Sequence, residues 1–112
     1  MSEIMIPFNE WSKERLRDGR KTATSRRKPY GKIGDTFNVE GKHYVLIDVM
    51  QAKLIDVANN WYEFEGCSSP EEFKQIWRLI HRKMGFIPEQ VVYLHTFEEL
   101  DNLVPNKKEN IE

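Results

Sequence analysis

A lysine, three hydroxyl residues and a run of cations lie close together at positions 19–28. Lys21 precedes Thr24 by three positions, and a lysine beside a hydroxyl is one of the simplest pairs of base and nucleophile. Residues three apart on a regular strand point to opposite faces, so this pair can meet only if Lys21 lies in the turn after Gly19. Neighbouring arginines would then favour a neutral lysine amine, which could take a proton from Thr24 or from water. Alternatively, Lys21 is a surface cation and Thr24 an ordinary strand residue.

Glu65 is a second candidate for acid–base chemistry. It falls at the end of a short predicted helix, where the helix dipole disfavours a carboxylate. Trp61 lies one turn earlier and Phe64 lies beside it, and such an apolar setting would favour the protonated carboxyl, a usable proton donor. The alternative is an exposed glutamate at a frayed helix end.

A basic and aromatic segment follows directly. Its members are Arg26, Arg27, Lys28, Tyr30 and Lys32. Cations mixed with an aromatic ring can hold a phosphate and stack a base. Positions 13–32 carry nine Lys or Arg residues and two acids, although the whole chain has a net charge of -1. A polyanion would therefore meet one face of the molecule. The alternative is a solvated loop.

The length of 112 residues suits one compact domain, which we place at residues 1–100, followed by a polar tail at 101–112. The sequence has no apolar run near the roughly 20 residues that span a bilayer, and its first residues do not resemble a signal peptide. The single cysteine, Cys67, excludes an internal disulfide framework and is typical of a reducing compartment. We therefore expect a cytoplasmic, monomeric protein with no membrane partner.

The histidines give no sign of a metal site. His43, His81 and His95 share no metal-ligand spacing with one another or with Cys67. We therefore expect neither a metal nor an organic cofactor. A histidine on a strand, such as His95, is more often a structural residue. The three tryptophans fall on predicted helical stripes, which is typical of core residues.

Hydrophobic periodicity and turn residues predict a helix, three strands, two helices and a final strand. Positions 43–50 are apolar on both faces, which indicates a central strand, and positions 52–54 would continue it past a bulge. Ser69, Pro70 and Glu72 form a capping box that begins the last helix. The predicted helices are 10–18 (capped by Asn9), 57–65 (capped by Asp56) and 70–83, and the predicted strands are 5–8 (an edge strand), 22–26, 36–39, 43–50 and 90–97.

Short strands around two aromatic-rich helices indicate an α+β fold. We expect a small, mostly antiparallel, barrel-like sheet with helices at one side.

Three motifs together resemble the ASCH domain family. They are Gly-Arg-Lys-Thr-Ala-Thr-Ser-Arg at 19–26, Gly34-Asp35 before a strand, and Glu65-Gly66 followed by Ser-Pro-Glu-Glu-Phe at 69–73. The resemblance spans residues 8–97. It implies a PUA-like β-barrel, mixed or antiparallel, with flanking helices and a cleft that faces RNA or a modified nucleoside.

One small bacterial branch of that family hydrolyses the acetyl amide of N4-acetylcytidine with a lysine, a threonine and a glutamate. The resemblance places these roles on Lys21, Thr24 and Glu65. Lys21 would deprotonate Thr24, Thr24 would attack the carbonyl, and Glu65 would protonate the leaving cytosine nitrogen. Two features depart from the family pattern: Ser25, where an apolar residue is common, and the basic run at 26–28. They leave open a pure RNA binder or a different amide substrate.

Three functions remain open on sequence alone. The first is an amidohydrolase of the N4-acetylcytidine type, with the nucleoside bound by Arg20, Arg26, Arg27, Lys28 and Tyr30. The second is a non-catalytic RNA-binding module, in which the cations of segment 20–32 contact phosphates and Tyr30 stacks on a base. A third reading is a protein-interaction domain that uses the Trp-bearing helices.

Overall fold

The computed structural model describes residues 2–100, so the polar tail predicted at 101–112 lies outside the described residues. The elements follow the predicted order of helix, three strands, two helices and strand. They are α1 (Glu10–Arg17), β1 (Ala23–Arg26), β2 (Thr36–Val39), β3 (Lys42–Lys53), α2 (Leu54–Asn60), α3 (Pro70–Ile80) and β4 (Val91–Glu99).

The four strands form one antiparallel sheet in the order β1-β4-β3-β2. The register between β3 and β4 shifts between Leu46 and Asp48, so Ile47 is the extra residue of a β-bulge. The bulge predicted before 52–54 is therefore misplaced, because β3 runs on through these residues to Lys53. A bulge bends and twists its strand, and the sheet curls into a half-barrel. The predicted α+β class is confirmed.

The start of α1 agrees with the sequence prediction. Asn9 Oδ1 accepts a hydrogen bond from the Ser12 N–H at 2.9 Å, so Asn9 is the N-cap. After the helix, Gly19 has a φ of 76°. A side chain disfavours this left-handed conformation, and glycine adopts it readily at helix ends. The turn delivers the chain to β1.

The predicted edge strand at 5–8 is wrong. Pro7 has no N–H to give to a ladder, and this segment is irregular. The N-terminal segment instead meets β2 through one parallel bridge between Glu3 and Thr36. The Pro7 carbonyl accepts a hydrogen bond from Arg26 Nη2 at 2.6 Å, so the segment lies across β1.

α2 begins and ends earlier than predicted. Its first two N–H groups donate to the carbonyls of Gln90 and Pro88. The chain just before β4 therefore satisfies the helix start, and the predicted cap, Asp56, lies inside the first turn. Residues 61–66 then form turns that end at Gly66, which has a φ of 94°.

α3 begins at the predicted signal. Ser69 Oγ accepts from the Glu72 N–H at 3.0 Å, and Glu72 Oε1 accepts from the Ser68 N–H at 2.7 Å. The helix ends slightly earlier than predicted and buries Phe73 and Trp77. The other two tryptophans are half-buried and pack against the same core.

Two buried clusters lie on opposite faces of the sheet, because successive strand residues alternate sides. The helix-side cluster lies under α2 and α3 and contains Ala23, Leu54, Val57, Ala58, Cys67, Phe73, Trp77, Val92 and Leu94. The aromatic cluster lies on the other face and contains Ile6, Leu16, Phe37, Val39, Tyr44, Leu46 and Phe97.

Candidate functional site

A cleft of about 750 Å³ runs along β1, the edge strand of the sheet. The start of α1 and the segment before it form one wall, and α3 forms the other. Its lining residues include Lys21, Thr24, Ser25, Arg26, Tyr30 and Glu65. The lysine, hydroxyls and carboxyl that the sequence singled out therefore share one cavity, although they come from two separate parts of the chain.

Backbone contacts around Gly66 bring Lys21 and Glu65 together. The Ala23 N–H donates to the Phe64 carbonyl at 2.9 Å, which holds the turn after α2 against the start of β1. A Cβ added at Gly66 would lie 3.3 Å from Lys21 Cβ, and the residue also has positive φ. Glycine thus permits a close approach there that a side chain would hinder. Lys21 precedes β1 and lies outside the ladder, as predicted.

Lys21 and Glu65 form a buried ion pair. Lys21 Nζ lies 3.1 Å from Glu65 Oε1 and donates to the Glu65 carbonyl at the same distance. Their side chains are 4% and 6% exposed. The second carboxylate oxygen, Oε2, accepts a hydrogen bond from Ser25 Oγ. The carboxylate is thus buried with polar partners on both oxygens, whereas the sequence predicted an apolar setting beside Trp61 and Phe64.

Thr24 is buried and lines the same cleft but has a different partner. Its Oγ1 accepts from Arg26 Nε at 3.3 Å. Among the described residues, Thr24 makes no side-chain hydrogen bond to Lys21 or Glu65. The structure thus joins Lys21 with Glu65 directly and adds Ser25. The sequence marked Ser25 as a departure from the family pattern but gave it no role, because its contact with Glu65 spans 40 positions.

Arg26 forms a cationic and aromatic wall of the cleft. Its guanidinium carbon lies 5.0 Å from the ring centre of Phe8 and 5.3 Å from that of Tyr30. Burial lowers the pKa of Arg26 from its usual value, while the nearby Tyr30 and Glu65 oppose that change. Lys28 Nζ lies 5.7 Å from the same Tyr30 ring. A planar group could stack on this wall.

The other predicted binding residues differ in their position relative to the cleft. Arg27 and Lys28 are exposed and line the cleft rim. Arg27 also contacts Met84 beyond α3. Arg20 is not among the cleft residues: it is exposed and pairs with Asp18 at 3.2 Å.

His95 fixes the loop that carries the basic residues. It is fully buried on β4, and its Nε2 accepts from the Tyr30 N–H at 3.0 Å. Its Nδ1 lies 2.9 Å from the Tyr93 carbonyl and 3.2 Å from that of Thr24, which assigns the proton to Nδ1. Burial lowers the pKa of His95, so the neutral ring is the stable form. Its contacts are structural, as the sequence suggested.

Cys67 lines the cleft but does not supply a nucleophile at neutral pH. Burial, aided by the charge of Glu65, raises the pKa of its thiol to about 12. Only the thiolate is strongly nucleophilic. Among residues 2–100, no group of three or more His, Cys, Asp or Glu residues is placed to hold a metal ion. In the same part of the chain, each helix is too short or too polar to cross a membrane.

No protein-family model matches this sequence, and no curated protein matches it significantly. Solved structures do match. The ASCH domain of Lactobacillus crispatus is 14% identical with a TM-score of 0.59, over 88% of this chain and 78% of that one. A DUF984 protein from Enterococcus faecalis is 20% identical with a TM-score of 0.56, over the same shares. The hypothetical protein PH0355 is 19% identical with a TM-score of 0.60, over 88% of this chain and 99% of that one. The chain therefore has an ASCH-like, PUA-like α+β fold.

Proposed function

We propose that the cleft hydrolyses the amide of an N4-acylated cytidine, with N4-acetylcytidine as the reference substrate. The observation that carries this proposal is the buried contact between Lys21 and Glu65 in a cleft that also holds the hydroxyls of Thr24 and Ser25. Burying an ion pair costs free energy, because both charges are removed from water. Buried ionisable groups with a charged partner cluster at functional sites. The resemblance of the motif at 19–26 to the acetylcytidine-hydrolysing branch supports the choice of substrate.

The residues present match the needs of amide hydrolysis. A hydroxyl attacks the acyl carbonyl, and a proton must reach the leaving nitrogen. The 3.1 Å contact lets Lys21 and Glu65 share one proton, so the pair can act as base in one step and as acid in the next. The resemblance assigns the attacking hydroxyl to Thr24, with Lys21 as its base.

The cleft also has features that suit a nucleobase. The Arg26 guanidinium beside Phe8 and Tyr30 offers stacking surfaces to a planar ring. On the opposite wall, the rings of Trp77 and His81 stack with centres 4.0 Å apart. The cleft volume is that of a small-molecule site.

The test is release of cytidine and acetate from N4-acetylcytidine by the purified protein. Lys21→Arg keeps the positive charge but cannot act as a base, so we expect turnover to fall by at least about 100-fold. Lys53→Arg is the matched control, since Lys53 contacts Glu89 at the same 3.1 Å but is exposed. No turnover by the wild-type protein would remove the proposal, whereas full turnover by Lys21→Arg would remove the role of Lys21 as its base.

A second candidate is non-catalytic RNA binding. The observation in its favour is that Arg27 and Lys28 are exposed at the cleft rim, with Lys28 beside the ring of Tyr30. This function predicts that a short RNA binds more weakly as salt rises, and that Arg27→Ala and Lys28→Ala each lower that salt dependence. Lys53→Ala should have no effect. Binding that ignores salt would count against this candidate.

A further inference from the structure

We propose that Ser25, rather than Thr24, supplies the attacking hydroxyl of this site. The inference deepens the proposed amide hydrolysis and rests on it. It also changes the roles of the pair, because Glu65 becomes the base and Lys21 the group that orients it. Three independent features of the structure lead to this assignment.

The first feature is a continuous chain of contacts. Ser25 Oγ donates to Glu65 Oε2, and Glu65 Oε1 contacts Lys21 Nζ at 3.1 Å. A hydroxyl bonded to a base, with the base held by a third group, is the recurring arrangement of activated nucleophiles. Thr24 lacks this connection, because its Oγ1 accepts a hydrogen bond from Arg26 and gets no base from that contact.

The second feature is the face of the strand. Ser25 pairs with Leu94 and Thr24 pairs with His95, and directly opposite residues share a face of the sheet. Ser25 therefore lies on the face of the helix-side cluster, toward the turn that carries Glu65. Thr24 lies on the opposite face, with His95. For Thr24 to meet Glu65, β1 would have to twist locally.

The third feature is the backbone of β1. The Ala23 N–H points away from β4, since it donates to the Phe64 carbonyl. Backbone groups alternate sides along an antiparallel strand, so the Ser25 N–H also points away from β4. A nucleophile's own amide can stabilise the oxyanion that forms when it attacks a carbonyl. Ser25 can therefore supply both the attacking hydroxyl and an amide N–H that stabilises the oxyanion.

The proposed reaction has two stages, acylation of Ser25 and hydrolysis of the acyl-serine. The Ser25 proton passes to the Glu65 carboxylate while Oγ bonds to the acyl carbon. The carbon–nitrogen bond then breaks, and the leaving amine takes that proton from Glu65. Water next attacks the acyl-serine and gives a proton to Glu65, which returns it to Ser25 as the ester bond breaks. The products are the free amine and a carboxylic acid.

The first experiment labels the wild-type protein with p-nitrophenyl acetate and maps the acetyl group by fragment-ion mass spectrometry. This activated ester acylates a reactive hydroxyl whatever the natural substrate is. We expect the acetyl on Ser25. An acetyl on Thr24, or none on either residue, would overturn the inference.

The second experiment measures N4-acetylcytidine turnover in three variants. We expect Ser25→Ala to lose at least about 100-fold, Thr24→Val to lose less than Ser25→Ala does, and Ser25→Thr, which keeps a hydroxyl, to recover part of the rate. Loss in Thr24→Val with retention in Ser25→Ala would refute the role of Ser25 yet leave the proposed function standing. A wild-type protein without turnover would refute the substrate, while labelling of Ser25 would still support its reactivity.

Discussion

On one face of the sheet, the rings of Phe37, Tyr44 and Phe97 contact one another with centres 5.2 to 5.4 Å apart. On the other face, apolar residues share the interior with the ion pair of Lys21 and Glu65. The aromatic face gains stability from packing of large rings and from the removal of apolar surface from water. The helix-side face must offset the cost of removing two charges from water.

The buried residues of the two faces therefore differ in how much they contribute to stability. Replacing a buried ion pair with apolar residues of similar size is often neutral or stabilising. The Lys21–Glu65 pair is therefore a poor source of stability, and its position in the cleft agrees with the catalytic role proposed for it. The aromatic cluster lies on the opposite face from Ser25 and Glu65, so its role is to hold the sheet that carries β1.

The largest expected effect is on the aromatic face. Phe97 is 1% exposed and touches the rings of Phe8, Phe37 and Tyr44. Phe97→Ala should lower the free energy of unfolding by about 4 kcal/mol, because it leaves a cavity. Denaturant unfolding measures this loss. The matched control is Phe64→Ala on the other side of the molecule, where the ring is 46% exposed.

Phe97→Ala also tests whether the aromatic face affects the rate of hydrolysis. If the two faces have separate roles, the fraction of the variant that remains folded should hydrolyse substrate at nearly the wild-type rate. A loss of turnover larger than the loss of folded protein would show that the aromatic face shapes the site.

The next effect concerns the buried pair. Lys21→Met leaves Glu65 buried without its cation and should cost about 3 kcal/mol of unfolding free energy. The double variant Lys21→Met with Glu65→Leu should regain most of that loss, since both charges are gone. Both variants should lack turnover. Unfolding curves and the hydrolysis assay together measure these outcomes.

The exposed pair of Lys53 and Glu89 provides the matched control for that experiment. It has the same 3.1 Å separation, with side chains 56% and 73% exposed. Lys53→Met should have no measurable effect on unfolding, because water screens an exposed pair. If Lys21→Met cost no more than Lys53→Met, burial would not distinguish the two pairs, and the contrast between the faces would fail.

Local signals in the sequence predicted much of this architecture. Asn9 and Ser69 cap helices because their partners lie three residues away. The bounds of α2 were wrong because its first N–H groups bond to carbonyls just before β4, far along the chain. The contact of Ser25 with Glu65 likewise depends on tertiary structure. The family resemblance pointed to Glu65, but spacing alone could not supply its polar surroundings.

The smallest expected effect is a pH dependence of stability that comes from His95, which is buried on the aromatic face. Burial lowers its pKa in the folded state, so the unfolded chain takes up a proton first as pH falls through about 6.5. The native state then binds fewer protons, and its stability drops with falling pH. The slope from one histidine is at most about 1.4 kcal/mol per pH unit. Protonation would also place a donor on Nε2, facing the Tyr30 N–H.

The free energy of unfolding, measured between pH 7 and pH 5, tests this effect. Asp35 also has a lowered pKa, through backbone hydrogen bonds from Lys32 and Ser2, but its contribution is lost only below about pH 4. Burial lowers the pKa of His81 as well, so it adds a slope of the same sign. His95→Asn should flatten the profile more than His81→Asn, because His95 is the fully buried ring. An equal or larger change in His81→Asn would place the pH-sensitive group on the cleft side of the sheet instead.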